Sequence, residues 1–161
     1  MKLDAKFYAK NKKLYKIDDD SLVDVTKLNK ISIPWSSVEI SDEVYNEEYL
    51  ANLRDELKRI DLKNEFVILV PKVDKTLETP EQYELFINAF NHTARRIKDC
   101  ICVVGIELPL EFIKNGFEEN SYASDFIETL SQKHSQYVYF VLSENLKQND
   151  ENIQNFSVVV Y

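Results

Sequence analysis

The chain has 161 residues, of which 44% are hydrophobic and 30% are charged. A chain of this size buries roughly 70% of the surface that its unfolded form exposes, so it supports a packed core and is neither collagen-like nor wholly disordered. Because 28 acidic residues outnumber 20 basic ones and give a net charge of −8, we exclude a general binder of the nucleic-acid backbone.

The amino-terminal part of the chain shows neither a targeting nor a membrane signal. Its first residues, MKLDAKFYAKNKKLYK, lack the apolar region of a secretory signal, and no apolar run approaches the roughly 18 residues of a membrane span. Cys100 and Cys102 are the only cysteines, and we expect them to be reduced, apolar residues of a strand. The sequence therefore predicts a cytoplasmic protein with no membrane partner.

Cofactor and metal motifs are missing from the sequence. Only two glycines occur, and the phosphate-binding patterns GxGxxG and GxxxxGK[ST] are both absent. Two cysteines and two distant histidines do not match the spacing of a zinc site. We therefore predict no cofactor and no metal.

Residues 1–29 are predicted to form a β-hairpin extension, with strands at 6–9 and 14–17. Residues 30–161 then repeat a strand–helix unit, and the two parts together are predicted to form one α/β domain. Four strands are predicted, at 31–35 (ISIPW), 66–70 (FVILV), 101–106 (ICVVGI) and 137–142 (YVYFVL), with starts about 35 residues apart. Near-continuous apolar runs of this kind are typical of parallel strands buried on both faces.

Three helices fill the intervals between these strands. Apolar stripes predict them at 47–60, 79–97 and 121–133, and the second begins with Thr79 as N-cap, Pro80 at the first helical position and Gln82 completing a capping box. His92 lies opposite the apolar stripe of this helix, so we expect it to be solvated. Residues 143–155 are polar and predict a loop or a frayed single turn, and 156–161 (FSVVVY) predict a fifth strand of either direction.

The predicted fold is therefore α/β, with a mostly parallel sheet of about five strands, three main helices and an amino-terminal β-hairpin. Strand order is not readable from the sequence, so a half-barrel and an open doubly wound sheet both remain. A half-barrel leaves two exposed sheet edges, which favour pairing of two copies into a homodimer.

Ligands of parallel sheets bind beyond the carboxyl ends of the strands. The candidate ligand-binding residues that follow predicted strand ends are Trp35, Asp74, Glu111 and Glu144. Glu39 and Glu107 are a candidate catalytic pair, because glycoside hydrolysis needs one acid and one base or nucleophile. Trp35 has two interpretations, since its ring could stack on a sugar or pack in the core.

Two stretches of the sequence resemble cellulase-like glycoside hydrolases of the (βα)8-barrel class. The stretch IPWSSVEISDEVYNEEYLANLRDELKRIDLKNEFVILVPKVDK is similar to their opening strand–helix–strand, and FINAFNHTARRIKDCICVVGIELPLEF is similar to the helix and strand before their acid/base glutamate. The resemblance covers residues 31–112. It implies a barrel-type scaffold on which Glu107 takes the acid/base position.

This sequence also departs from the family pattern. The family signature is Asn-Glu-Pro, whereas this chain has Glu107-Leu108-Pro109, and its four or so units supply only half of a barrel with no counterpart of the nucleophile strand. Two function classes follow from this. The first is a non-catalytic protein that binds a carbohydrate or a protein partner, and the alternative is a small glycosidase that uses Glu39 and Glu107. We favour the first.

Overall fold

A computed structural model describes residues 3–114, 117, 121–146, 153 and 156–161. The amino-terminal extension forms an antiparallel sheet of β1 (Phe7–Lys10), β2 (Lys13–Lys16) and β3 (Leu22–Val23). Asn11 and Lys12 connect the first two strands with φ angles of 52° and 65°. Two successive positive φ angles are typical of the tight turn that suits twisted hairpin strands. The predicted hairpin is therefore confirmed, with a third short strand added.

The central sheet has five parallel strands in unbroken chain order. They are β4 (Asn29–Pro34), β7 (Val67–Lys72), β8 (Val103–Glu107), β9 (Val138–Val141) and β10 (Val158–Val160). A small hairpin of β5 (Glu39–Ser41) and β6 (Val44–Tyr45) lies between β4 and the first long helix. The last strand, whose direction the sequence left open, is parallel to β9.

Three long helices follow the predicted apolar stripes, and two short helices that no stripe predicts accompany them. They are α1 (Trp35–Val38), α2 (Glu47–Leu62), α3 (Pro80–Arg96), α4 (Leu110–Ile113) and α5 (Tyr122–Ser131). The capping box of Thr79 and Gln82 is present at the start of α3. Of the predicted loop at 143–155, only 143–146 and 153 lie within the described residues.

The two faces of the sheet bury different partners. The helix face packs Leu69, Val103 and Tyr139 against the long helices. The inner face carries Ile68, Val70, Val104, Phe140 and Val159, and Phe7 and Leu14 of the hairpin sheet cover it. Helices on one face only, together with sequential strand order, identify a half-barrel and not a doubly wound sheet.

The hairpin also protects part of one sheet edge. The backbone N–H of Val160 in edge strand β10 donates to the carbonyl of Lys12, at 3.0 Å, in the β1–β2 turn. Bonds of this kind use donors that an exposed edge would offer to another chain. The homodimer that the half-barrel favours remains a prediction.

Cys100 and Cys102 lie just before a strand, because β8 begins at Val103 and not at residue 101 as predicted. The carboxylate of Asp61 accepts the backbone N–H groups of Ile101, at 3.3 Å, and Cys102, at 2.7 Å. These two N–H groups therefore bond to a side chain and not to a neighbouring strand. Both cysteines are buried and neither is in a disulfide, and burial raises the pKa of Cys100 to about 11.

The prediction that His92 is solvated is wrong. Its side chain is only 16% exposed, and its ring stacks on Tyr45 with centroids 4.2 Å apart. Its Nε2 lies 2.7 Å from Oε1 of Glu47, whose Oε2 also accepts from Nε of Arg96 at 2.9 Å. The apolar stripe of α3 indicates only which side of the helix packs on the sheet. The side that carries His92 is covered by the β5–β6 hairpin and by α2.

We expect His92→Ala to lower the free energy of unfolding by about 1–2 kcal/mol, because it removes a ring stack and a partly buried hydrogen bond. Chemical denaturation measures this loss. Arg95→Ala is the matched control, since Arg95 is an exposed residue of the same helix, and its effect should stay within about 0.5 kcal/mol. Equal losses for the two variants would contradict the described packing of His92.

Candidate functional site

Trp35 and Glu39 meet directly beyond the carboxyl end of β4. The short helix α1 follows the strand without a linker, and it turns the Trp35 ring edge-on to Phe86, with centroids 5.2 Å apart. The indole Nε1 of Trp35 donates to Oε1 of Glu39 at 2.9 Å. Trp35 is 2% exposed and Glu39 is 1% exposed, so both side chains are interior groups.

The negative charge of Glu39 is compensated inside the protein. The ammonium of Lys75 lies 3.6 Å from Oε1 of Glu39, donates to the Glu39 backbone carbonyl at 2.8 Å and lies 4.9 Å from the Trp35 ring centroid. The backbone N–H of Glu43 donates to Oε2 at 3.0 Å. Both carboxylate oxygens therefore have donors, as a buried charge requires.

Asp74 lies at the same end of the sheet, after β7. Its Oδ1 accepts the backbone N–H of Ser36 at 2.9 Å, and its Oδ2 accepts the Ser36 hydroxyl. Ser36 and Asp74 are exposed, whereas Trp35 and Glu39, which lie close to Ser36 in the sequence, are buried. The structure thus brings Trp35, Glu39 and Asp74 together. We call the group of exposed Ser36, exposed Asp74 and half-buried Lys75 the polar rim.

Glu107, the last residue of β8, belongs to a second cluster. Its Oε1 accepts from the Lys30 ammonium at 3.3 Å and also from the Tyr161 hydroxyl. The Lys30 ammonium lies 4.3 Å from the centroid of the Tyr161 ring, which itself packs edge-on against Phe140 of the inner face. Burial, with the hydrogen bond and charge of Glu107, raises the pKa of Tyr161, so its hydroxyl remains a donor.

This cluster joins the two edges of the sheet. Lys30 belongs to edge strand β4, and Tyr161 directly follows β10 at the other edge. Side chains from opposite edges of a flat five-stranded sheet would be far too distant to meet, since neighbouring strands lie about 4.8 Å apart. The sheet is therefore strongly curved, and Glu107 is held at the centre of its concave side.

The remaining candidates lie apart from both clusters. Glu111 is in α4, where its backbone carbonyl accepts the Tyr83 hydroxyl at 3.3 Å. Glu144 is exposed in a 3-10 turn after β9. Glu39 and Glu107 both follow carboxyl ends of parallel strands, but among the described residues they share no hydrogen-bond partner.

Sequence reasoning missed Lys30 and Tyr161 as partners of Glu107. The signal was available in β4, where the polar residues Lys30 and Ser32 alternate with Ile31 and Ile33. Alternation with period two places Lys30 on the inner face. The stretch 156–161 (FSVVVY) has no such alternation and predicts only a strand.

Membrane-spanning helices and metal-holding clusters are both absent from the described part of the chain. No helix there is long and apolar enough to cross a bilayer. Within the same residues, no group of three or more histidine, cysteine, aspartate or glutamate side chains is arranged to hold a metal ion.

Comparison with known proteins shows a likeness of fold. No family model and no curated protein matches the sequence. Among solved structures, the endoglucanase Cel5A of Pseudomonas stutzeri superposes with a TM-score of 0.60 at 15% identity, over 83% of this chain and 47% of that chain. The endo-glycoceramidase II of a Rhodococcus species in a cellobiose-like imidazole complex superposes with a TM-score of 0.55 at 14% identity, over 71% and 40%.

The chain thus spans less than half the length of the solved structures that it matches. At this level of identity the likeness concerns the fold alone, and it supports the resemblance that the sequence gives over residues 31–112. The scaffold is glycoside-hydrolase-like and corresponds to about half of a barrel.

Proposed function

We propose that this protein is a non-catalytic binding protein on a reduced, glycoside-hydrolase-like α/β scaffold, and that a carbohydrate binds at the polar rim. The observation that carries the proposal is the state of the two candidate catalytic carboxylates. Glu39 is 1% exposed and Glu107 is 6% exposed, and donors from the protein itself occupy both.

A glycosidase needs a different arrangement. Its two carboxyl groups flank the glycosidic bond, about 5–5.5 Å apart in retaining enzymes and 6.5–9.5 Å apart in inverting ones, and both must reach the substrate. Here the Glu39 carboxylate is enclosed by Lys75 and by Trp35, whose ring packs on the helix side, whereas Glu107 is on the concave side with Lys30 and Tyr161. The alternative of a small glycosidase finds no support in this arrangement.

The polar rim has the groups that a polyhydroxyl ligand needs. Asp74 offers an exposed carboxylate, Ser36 an exposed hydroxyl, and the Lys75 side chain is 30% exposed. Carboxylate acceptors beside hydroxyl and ammonium donors match the mixed donors and acceptors of sugar hydroxyls. Stacking of a sugar on Trp35 would require that ring to be uncovered. Glu111 and Glu144, which lie in α4 and in the turn after β9, are not part of the polar rim.

The catalytic half of the proposal is tested with a panel of aryl glycosides. We expect no release of aryl alcohol above the rate in buffer, for the wild-type protein and for Glu107→Gln alike. Hydrolysis by the wild-type protein that Glu107→Gln abolishes would establish the glycosidase alternative instead.

The binding half is tested by titrating neutral oligosaccharides, cellobiose among them, into isotope-labelled protein and recording backbone amide shifts. We expect saturable shifts at Ser36, Asp74 and Lys75 that Asp74→Asn weakens. Asp125→Asn in α5 is the matched control, because it removes the same charge outside the rim. No saturable shift with any saccharide would contradict carbohydrate binding.

A further inference from the structure

A cavity of about 360 Å³ lies at the other end of the sheet, beside the amino ends of β8 and β9. It is lined by residues 3–7, which lead into β1, by residues 100, 101, 103 and 104 around the start of β8, and by Gln136, which precedes β9. We call it the basal cavity. Its size is that of a small-molecule site, and its position separates it from the polar rim.

The walls of the basal cavity are mostly apolar. Phe7, Val103 and Val104 are buried residues that line it, and Ile101 lies beside them with 40% of its surface exposed. The Cys100 thiol also lines it and is uncharged at neutral pH, because burial raises its pKa to about 11. An apolar group of a ligand could therefore pack against these side chains and cover the exposed part of Ile101.

Polar groups of the basal cavity favour a positively charged donor. Oε1 of Gln136 is buried and has no hydrogen-bond donor among the described residues. A buried acceptor in this state is costly, so a ligand donor that reaches Gln136 from the cavity would be favoured. Asp4 and Asp18 also line the cavity and outnumber Lys6, so its charge is negative.

We propose that the basal cavity binds a small organic cation, in which an ammonium group is attached to an apolar body. The ammonium group supplies the donor that Gln136 lacks and the charge that Asp4 and Asp18 favour. The apolar body lies against Phe7 and Val104. This site is independent of carbohydrate binding at the polar rim.

The test uses three probes of nearly the same shape: 2-phenylethylamine, 2-phenylethanol and 3-phenylpropionate. Each is titrated into isotope-labelled full-length protein at pH 7 while backbone amide shifts are recorded. We expect saturable shifts at residues 4–7 and 100–104 with the amine, about tenfold weaker binding of the alcohol, and no binding of the carboxylate. Equal shifts for the amine and the carboxylate would overturn the proposal.

Two variants separate binding from folding. Ala5→Trp fills the cavity from a segment outside the strands and should abolish binding of the amine. Gln136→Leu should weaken that binding about tenfold while the thermal midpoint stays the same or rises, because it removes an unsatisfied acceptor. Gln132→Leu, at an exposed position after α5, is the control and should change neither. Unchanged binding of the amine in Ala5→Trp would show that it binds elsewhere.

Discussion

Gly105→Ala is expected to unfold the protein, or to lower its free energy of unfolding by more than about 4 kcal/mol. Gly105 is paired with Val138 where β8 and β9 lie side by side. A Cβ atom at Gly105 would overlap the carbonyl oxygen of Val138 and lie 2.6 Å from its carbonyl carbon. Because the obstacle is backbone, it cannot be relieved by a change of rotamer, and the two strands would have to separate.

Circular dichroism and urea denaturation measure this effect. Ser32→Ala is the control, since it places alanine at an exposed position of edge strand β4, and its effect should stay within about 0.5 kcal/mol. A Gly105→Ala protein that unfolds cooperatively with a near wild-type midpoint would contradict the close approach of β8 and β9.

Phe86→Ala should lower the free energy of unfolding by about 3–5 kcal/mol. Phe86 is fully buried on the helix face, and its ring centroid lies 4.7 Å from that of Phe90, 5.1 Å from that of Phe112 and 5.2 Å from that of Trp35. These rings come from three different helices, so the cavity left by alanine cannot close by the movement of one side chain.

Phe86→Leu is the conservative comparison, because it keeps an apolar side chain in the same space. We expect it to cost about 1–2 kcal/mol, clearly less than alanine, when both are measured by urea denaturation. If alanine and leucine had equally small effects, the aromatic cluster would not be the centre of the core as described.

Local patterns were sufficient to predict the three long helices and the strand series, but not the short helices α1 and α4. The stripe of α3 and the capping box of Thr79 and Gln82 depend on residues close in sequence, and the structure confirms them. The ends of strands were less predictable where a side chain distant in sequence bonds to the strand backbone. Asp61 takes the backbone donor of Cys102, 41 residues away, and so moves the start of β8.

The candidate site was only partly predictable for the same reason. Trp35 and Asp74 both follow strand ends, so parallel topology alone brings them to one edge. The contacts of Glu107 depend instead on the curvature of the sheet, since Lys30 is 77 residues away and Tyr161 is 54 residues away. The sequence close to Glu107 therefore gives no indication that these two side chains are its hydrogen-bond partners.

We propose that Glu107 serves the structure, by joining the two sheet edges, and that it has no part in catalysis. If so, its removal takes away the acceptor of the Tyr161 hydroxyl and of the Lys30 ammonium. A hydrogen bond to a charged group contributes about 1.5–3 kcal/mol, and the Lys30 side chain, at 39% exposure, contributes less because solvent screens it.

The free energy of unfolding of Glu107→Ala, measured by urea denaturation against the wild-type protein, tests this claim most directly. The structural role predicts a loss of about 2–4 kcal/mol. Catalytic residues are commonly held at a cost in stability, so their replacement leaves the fold unchanged or makes it more stable. An unchanged or increased free energy of unfolding in Glu107→Ala would therefore contradict the structural role.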